Sequence, residues 1–378
     1  LFLGVFVVMK KIVHVIFSLR VAGAENVCIT ICNHLNKQKY KVYVITIFDA
    51  VPLAEKLKNN TSVTVISLGV PLQSRFWLFS PKVFVKFRRI LKEIAPDTIH
   101  SHFWGVGTWI LSVIKDLPVK NRIATIHTSG GHYKSSYWFS RIDRNVEMLT
   151  YKLLNFKLVC VSEEVRKTME EELKLSNSSV ILNGIDIDYF IPVNGNAEKS
   201  TNYPVLIHVG RFLPAKNHWD IIRSLPLLKK KFPNFRMCFL GVGVKEQLEE
   251  YCKENHLIDN VHFHGVQDNV LKYLHQADIG IFPSSYEGLG LALLEMMSCE
   301  LPVIISDIPV FREITKNGTC AKIVGLHQIE ELSNCIVELA GDKKQMRDLG
   351  KTGRKIVMEK FSHKQMISSY EVMYDMIY

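Results

Sequence analysis

Two carboxylates eight positions apart, Glu287 and Glu295, bracket a pair of glycines in Pro283-Ser-Ser-Tyr-Glu-Gly-Leu-Gly-Leu-Ala-Leu-Leu-Glu295. The apolar run ahead of them, Ala277-Asp-Ile-Gly-Ile-Phe282, reads as a buried strand, and Leu291 to Cys299 reads as a helix. A strand, a glycine-bearing turn and then a helix present backbone N–H groups where a phosphate can bind. Glu287 falls in the turn. Glu295 falls about two turns into the helix, among residues that otherwise read as core. A carboxylate in such a run needs a partner if it is buried. A ligand hydroxyl would supply one; an ordinary solvated glutamate is the other reading.

A second stretch could do matching chemistry. Val205-Leu-Ile-His-Val209 reads as a strand, Gly210-Arg-Phe-Leu-Pro-Ala-Lys-Asn217 as the turn after it, and Trp219 to Leu228 as a helix. The turn carries Arg211 and Lys216. A guanidinium fork and an ammonium point charge together suit a diphosphate. A solvated loop with two ordinary cations is the alternative.

These two stretches together resemble the nucleotide-sugar glycosyltransferases of family 4 (glycosyl transferases group 1). Other pieces fall in that family's order: Ala22-Gly-Ala-Glu25, Ile126-His127, Asn183-Gly-Ile-Asp186, Leu240-Gly-Val-Gly243 and Phe263-His-Gly265. The resemblance runs from Met9 to the end of the chain. It implies a GT-B fold, with two Rossmann-like α/β domains whose parallel sheets face across a cleft and a C-terminal helix crossing back to the first domain. The implied boundaries are 9–190 for the acceptor domain, 191–360 for the donor domain and 361–378 for the returning helix.

The resemblance also implies roles. Arg211 and Lys216 would hold the diphosphate and neutralise it as it leaves. Glu295 would accept from the ribose hydroxyls, and Glu287 would sit near the transferred sugar. Gly288, Leu289 and Gly290 would offer N–H groups to sugar or phosphate, and the backbone at Val266 would read the base. Gly23 would let the first domain approach the phosphates, although Ala22 stands where the family often has a second glycine. His127 would contact the donor sugar; a structural histidine at a strand end is the plainer reading. Thr128 follows it where many relatives carry an acid.

The family retains anomeric configuration, and no second carboxylate stands opposite Glu287 as a nucleophile. Same-face substitution, with the departing diphosphate taking the acceptor's proton, is the expected route. No Asp-x-Asp pair stands beside a strand end. Asp186 and Asp188 have that spacing but read as turn chemistry. The reaction is therefore expected to need no metal and no cofactor beyond a UDP- or GDP-sugar substrate. A nucleotide-sugar epimerase and a non-catalytic nucleotide-sugar binder are the alternatives. A dehydrogenase is disfavoured, because the first turn lacks the three-glycine fingerprint and its acid.

The 378 residues suffice for two domains with sizeable cores. The net charge of +10 is one-sided: residues 1–190 hold 25 Lys+Arg against 15 Asp+Glu, and residues 191–378 hold 22 of each. An anionic partner for the first half follows. No nucleic-acid module is present, so the expected partner is a membrane surface. The stretch from Arg75 to Lys92 holds six cations and five aromatics. On a helix, Val83, Phe87, Ile90, Leu91 and Ile94 would pack inward, leaving Lys82, Lys86, Arg88, Arg89 and Lys92 for lipid phosphates. Residues 128–156, with Gly130-Gly131, His132-Tyr133, Tyr137-Trp-Phe139, Arg141 and Arg144, suit a glycan or lipid-linked acceptor or an ordinary loop. Surface polysaccharide assembly would join these features: capsule, O-antigen or exopolysaccharide.

The eight cysteines form no CxxC pair, and Cys28 and Cys32, four apart on an expected helix, read as core rather than as a zinc site. A cytoplasmic chain, peripheral on the inner membrane face, is the expectation. Residues 1–8 are apolar and too short to span a bilayer. They read as an extension ahead of a start at Met9, with a signal anchor as the alternative. Strands are expected at 11–17, 41–48, 63–68, 98–102, 122–127 and 158–162, then at 205–209, 236–240, 261–263, 279–282 and 302–306. The polar stretch 189–203 suits a linker.

Overall fold

The structure, a computed structural model, describes residues 9–376 apart from positions 21, 50–51, 58–59, 73, 75, 129–137, 174–177 and 194–202. The N-terminal extension, Arg75, the Gly130-to-Tyr137 part of the expected acceptor segment and most of the expected linker lie outside the described residues; most of the remaining acceptor segment is the helix Trp138–Leu153. The chain divides into two units, one made of residues 1–183 and 363–378, the other of residues 184–362. The first division falls ahead of the polar stretch at 189–203.

The first unit is built on a seven-stranded sheet. Its strands are β1 (Lys10–Ile16), β2 (Tyr40–Phe48), β3 (Val63–Val70), β4 (Thr98–Ser101), β5 (Asn121–Ile126), β6 (Lys157–Cys160) and β7 (Ser178–Val180). They run parallel in the order β3-β2-β1-β4-β5-β6-β7. The second unit has β8 (Val205–Val209), β9 (Arg236–Leu240), β10 (Val261–Gly265), β11 (Ile279–Phe282), β12 (Val303–Ser306) and β13 (Ala321–Val324). These too are parallel, in the order β10-β9-β8-β11-β12-β13. Crossover helices cover a parallel sheet on both faces, so its strands are apolar throughout rather than alternating. Ile12, Val13, Val15 and Ile16 of β1 are all buried, and so are Leu206 and Ile207 of β8.

In each sheet the first strand lies inside and the connection changes direction beside it. That leaves a crevice beyond the carboxyl ends of β1 and β4 in one unit, and of β8 and β11 in the other. Those ends are where the sequence concentrates its polar turns.

The last helix, His363–Asp375, belongs to the first unit. Its Tyr374 hydroxyl lies 2.7 Å from His100 Nδ1, and its Tyr370 hydroxyl lies 2.9 Å from Thr125 Oγ1. Asn121 Nδ2 donates to Met373 O at 2.8 Å, and Lys10 pairs with Asp375 at 2.8 Å. The tail thus crosses back onto the first sheet.

The basic stretch forms a helix at Pro81–Ile94, with Phe87, Ile90, Leu91 and Ile94 buried. Its expected outer face is smaller than the sequence suggests. Lys86 Nζ bends back to Leu68 O at 2.8 Å, and Arg88 donates to Val113 O. A long cationic stem can reach the carbonyls at a strand end or the end of a neighbouring turn, and the helical wheel does not register this. Lys82, Arg89 and Lys92 remain exposed.

Candidate active site

In the second unit, β8 ends at Val209 and Gly210 opens the Arg211 turn. A short 3-10 turn, Pro214–Lys216, then leads into the helix His218–Lys231. Asn217 joins them with a left-handed backbone, φ 50°, a conformation that Asn adopts more readily than most residues. Its side-chain amide crosses to the neighbouring strand end, donating to Pro283 O and to Ser285 Oγ, both at 2.8 Å. Ser285 N donates to Ala215 O at 2.8 Å. The turn after β8 is thereby fastened to the turn after β11, at the point where the sheet order reverses.

This fastening brings Lys216 and Glu287 together as an ion pair. Their side chains are only 17% and 13% exposed, so the pair is held largely out of water. Ser284 Oγ donates to Glu287 Oε1 at 3.0 Å, and Lys216 Nζ sits 5.3 Å from the centre of the Phe282 ring. Gly288 and Leu289 are buried behind Glu287. Gly290, at φ 89°, caps the helix Leu291–Ser298 in a conformation that favours glycine. Glu295 is half-buried on that helix. It is the fifth residue of the helix, a little over one turn along rather than two: the helix starts at Leu291, as the sequence suggests, and Glu295 lies four residues after it. Arg211 is exposed on the rim of the same turn, and Val266 is exposed just after β10.

Backbone bonds stitch together the ends of β8, β9 and β10. Gly210 N donates to Leu240 O at 2.9 Å, Gly241 N to Gly265 O at 2.8 Å, and Phe212 N to Val242 O at 2.9 Å. The Gly241-Val-Gly243 turn thus braces the Arg211 turn from the side. Asp186 behaves as turn chemistry demands: its Oδ1 accepts from the N–H of Asp188 and of Tyr189, both at 3.0 Å.

In the first unit, Gly23 starts the helix Gly23–His34 after β1, and a Cβ there would meet nothing within 4 Å. No neighbour among the described residues therefore demands a glycine at this position. His127 follows β5, and its Nε2 lies 2.9 Å from His102 Nδ1. His102 Nε2 in turn lies 3.0 Å from His14 Nδ1. The ring therefore leans on two further histidines, which leaves Nδ1 as its other nitrogen.

Sequence reasoning passed over Ser284, Asn217, His102 and His14. The signal for His102 was present in His100-Ser-His102, an alternation at the end of a strand that sends both rings to one face.

Several histidines are kept neutral. Burial, with His102 nearby, pushes His127 down to about 3. Burial and the Lys216 charge push His218 down to about 4. Burial holds His100 and His208 well below the usual histidine range. The unfolded chain would protonate these groups as pH falls through about 6.5 while the folded chain does not, so stability is full above that pH and is lost on acidification. By pH 5 a histidine shifted this far costs about 2 kcal/mol. The melting temperature is expected to fall steadily from pH 7 to pH 5. A flat profile over that range would mean that these rings titrate normally.

The matches to known proteins follow the same division. Residues 21–189 match the family model Glycosyltransferase Family 4, and residues 194–356 match Glycosyl transferases group 1. EpsF of Bacillus subtilis (strain 168) is 26% identical over 321 residues, 79% of each chain. The Escherichia coli UDP-Gal:alpha-D-GlcNAc-diphosphoundecaprenol alpha-1,3-galactosyltransferase is 24% identical over 355 residues, 88% of each chain. Among solved structures, Anabaena HepE in complex with UDP and glucose superposes with a TM-score of 0.83 at 17% identity, covering 97% of this chain and all of HepE.

Two parallel-sheet α/β units with reversed strand order and a returning C-terminal helix define the GT-B fold class. Within that class the chain belongs to glycosyltransferase family 4, group 1.

Proposed function

We propose that this enzyme moves a sugar, with retention of configuration and without a metal, from a nucleoside-diphosphate sugar to a glycan or lipid-linked acceptor in surface polysaccharide synthesis. The observation that carries this reading is the joining of two turns at the β8/β11 crevice, which sets Lys216 against Glu287 and leaves Arg211 on the rim. In this reading the two cations take the charge that develops on the leaving diphosphate. The diphosphate receives the acceptor's proton as the new glycosidic bond forms on the same face. Glu287 holds the sugar, with the N–H groups of Gly288 to Gly290. Glu295 accepts from the ribose, and the backbone at Val266 meets the base. HepE's complex with UDP and glucose supports a nucleotide-sugar donor. The galactosyltransferase relative, whose name specifies a diphosphoundecaprenol-linked acceptor, supports a lipid-linked one.

The test is a thermal-shift panel with UDP, GDP, ADP, CMP and their sugar conjugates in metal-free buffer. Ligand at a hundred times its dissociation constant adds about 2.7 kcal/mol. One nucleotide class should raise the melting temperature, and Arg211→Ala should abolish the rise. Folded protein indifferent to every nucleotide would overturn the reading.

The first unit is proposed to rest on anionic membrane. No helix among the described residues is long and apolar enough to cross a membrane. Around the exposed Lys82, Arg89 and Lys92, the side chains of Phe76, Phe79 and Val85 are 75%, 81% and 66% exposed. Cations beside exposed aromatics suit an interface of anionic headgroups and acyl chains. Flotation with liposomes should retain the protein on phosphatidylglycerol and release it in high salt. Equal recovery on neutral lipid would count against this surface.

A further inference from the structure

Beneath the β1/β4 crevice of the first unit lies a group of buried side chains for which sugar transfer has no use. His14 comes from β1, and Cys28 and Cys32 lie one turn apart on the helix Gly23–His34 that follows it. One nitrogen of His14 and the two sulfurs lie within 4.8 Å of one another, and all three residues are buried. His14 Nδ1 is taken up by His102 Nε2 at 3.0 Å, His14 Nε2 makes no hydrogen bond of ordinary geometry, and the ring's other polar neighbour is the Cys28 thiol. An imidazole nitrogen with only a thiol, a weak donor, beside it is poorly satisfied at the heart of a core. Beside two thiols it is also a donor set: two sulfurs and one imidazole are ligands that zinc accepts, with a water in its fourth position. Two thiolates would cancel the charge of Zn2+, which a site closed to solvent requires. The second shell is in place too. A metal on Nε2 leaves the His14 proton on Nδ1, where His102 accepts it, and His102 can then donate from its own Nδ1 to His127.

We propose that His14, Cys28 and Cys32 form a buried zinc site that ties the first helix of the first unit to its first strand, β1. Binding releases the two thiol protons and involves no redox step. Structural zinc ordinarily has four protein ligands, and this site supplies three with a water as the fourth; its proposed role is to tie helix to strand, and it takes no part in the bond-making step of transfer. Zinc also fixes the hydrogen-bonded chain so that His127 carries its proton on Nδ1.

The full chain purified under reducing conditions from zinc-supplemented cells should carry about one zinc per chain by elemental and native mass analysis. Strong chelator should lower its melting temperature. After unfolding and refolding in Co2+, it should show the thiolate-to-cobalt charge-transfer band. Cys28→Ser and Cys32→Ser should lose both metal and band, while Cys335→Ser, half-buried in the other unit, keeps them. If a variant fails to fold, the metal content of the wild-type chain still decides. Wild-type protein that emerges from zinc-replete cells without zinc overturns the site, whatever the variants do.

Discussion

Sugar transfer by a Lys216→Ala protein is expected to fall about 10²–10³-fold, the usual cost of removing one charge aimed at a transition state. Lys216 is not an ordinary surface lysine. The short turn Pro214–Lys216 and the left-handed Asn217 fix its backbone, and its ammonium is held between Glu287 and the Phe282 ring. The same ion pair offers a competing account, in which Lys216 merely keeps Glu287 in place. Leaving a largely buried carboxylate without its cation costs stability, by about 1–3 kcal/mol with Ser284 still donating to it. Affinity for the free nucleoside diphosphate, which carries no sugar for Glu287 to hold, separates the two accounts. The double variant Lys216→Ala/Glu287→Gln isolates the stability cost. It removes the orphaned charge and should recover much of the lost stability without recovering transfer. Full activity in the single variant would sink the diphosphate assignment; unchanged nucleoside-diphosphate affinity in it would reduce Lys216 to a brace for Glu287.

A second large effect is expected at a residue that touches no proposed substrate. Gly241 has φ 148°, and a Cβ there would sit 1.9 Å from Gly210 O. Gly241→Ala therefore has to push apart the turns that carry Arg211 and Val266 or abandon the Gly241-to-Gly265 bond. Backbone strain and overpacking together set the cost at about 3 kcal/mol or more, which for a unit of this size lowers the melting temperature by roughly 6–12 °C. Nucleotide affinity should fall with it. Gly23→Ala is the contrasting substitution, because its Cβ meets nothing. A Gly241→Ala protein as stable as wild type would show that the turn yields more easily than its geometry implies.

The alternation of apolar runs with helical patterns was enough to read both sheets, because a strand buried on both faces announces itself as a solid block such as Ile12 to Ile16. Two edge strands escaped notice. Ser178–Val180 is short and polar, and Ala321–Val324 carries Lys322. An edge strand is tethered on one side only, so it needs less apolar sequence than an inner one. Arg211, Lys216, Glu287 and Glu295 could be picked out because their types are chemically costly among apolar neighbours. Ser284 and Asn217 could not, since a serine or an asparagine in a turn is commonplace, and only the folded backbone shows that they lace two turns together. Lys86 and Arg88 illustrate the same limit: helical spacing places a Cα on a face, but a four-atom stem chooses its own partner.

The membership of the last helix has a consequence for the order in which the molecule can be made. The chain enters the second unit at Gly184 and leaves it at Ser362, where Ile185 and Ser362 are bridged side by side. The second unit is thus an insertion within the first. At about 5–20 residues per second, a ribosome needs roughly 10–35 s to make it. Throughout that interval the first sheet stands without Tyr370 and Tyr374, and His100 and Thr125 lack the hydroxyls that later satisfy them. The unit begun first is completed after the second, so a nonsense codon or frameshift between the codons of Ser362 and Tyr370 damages the fold of the first unit and spares the second.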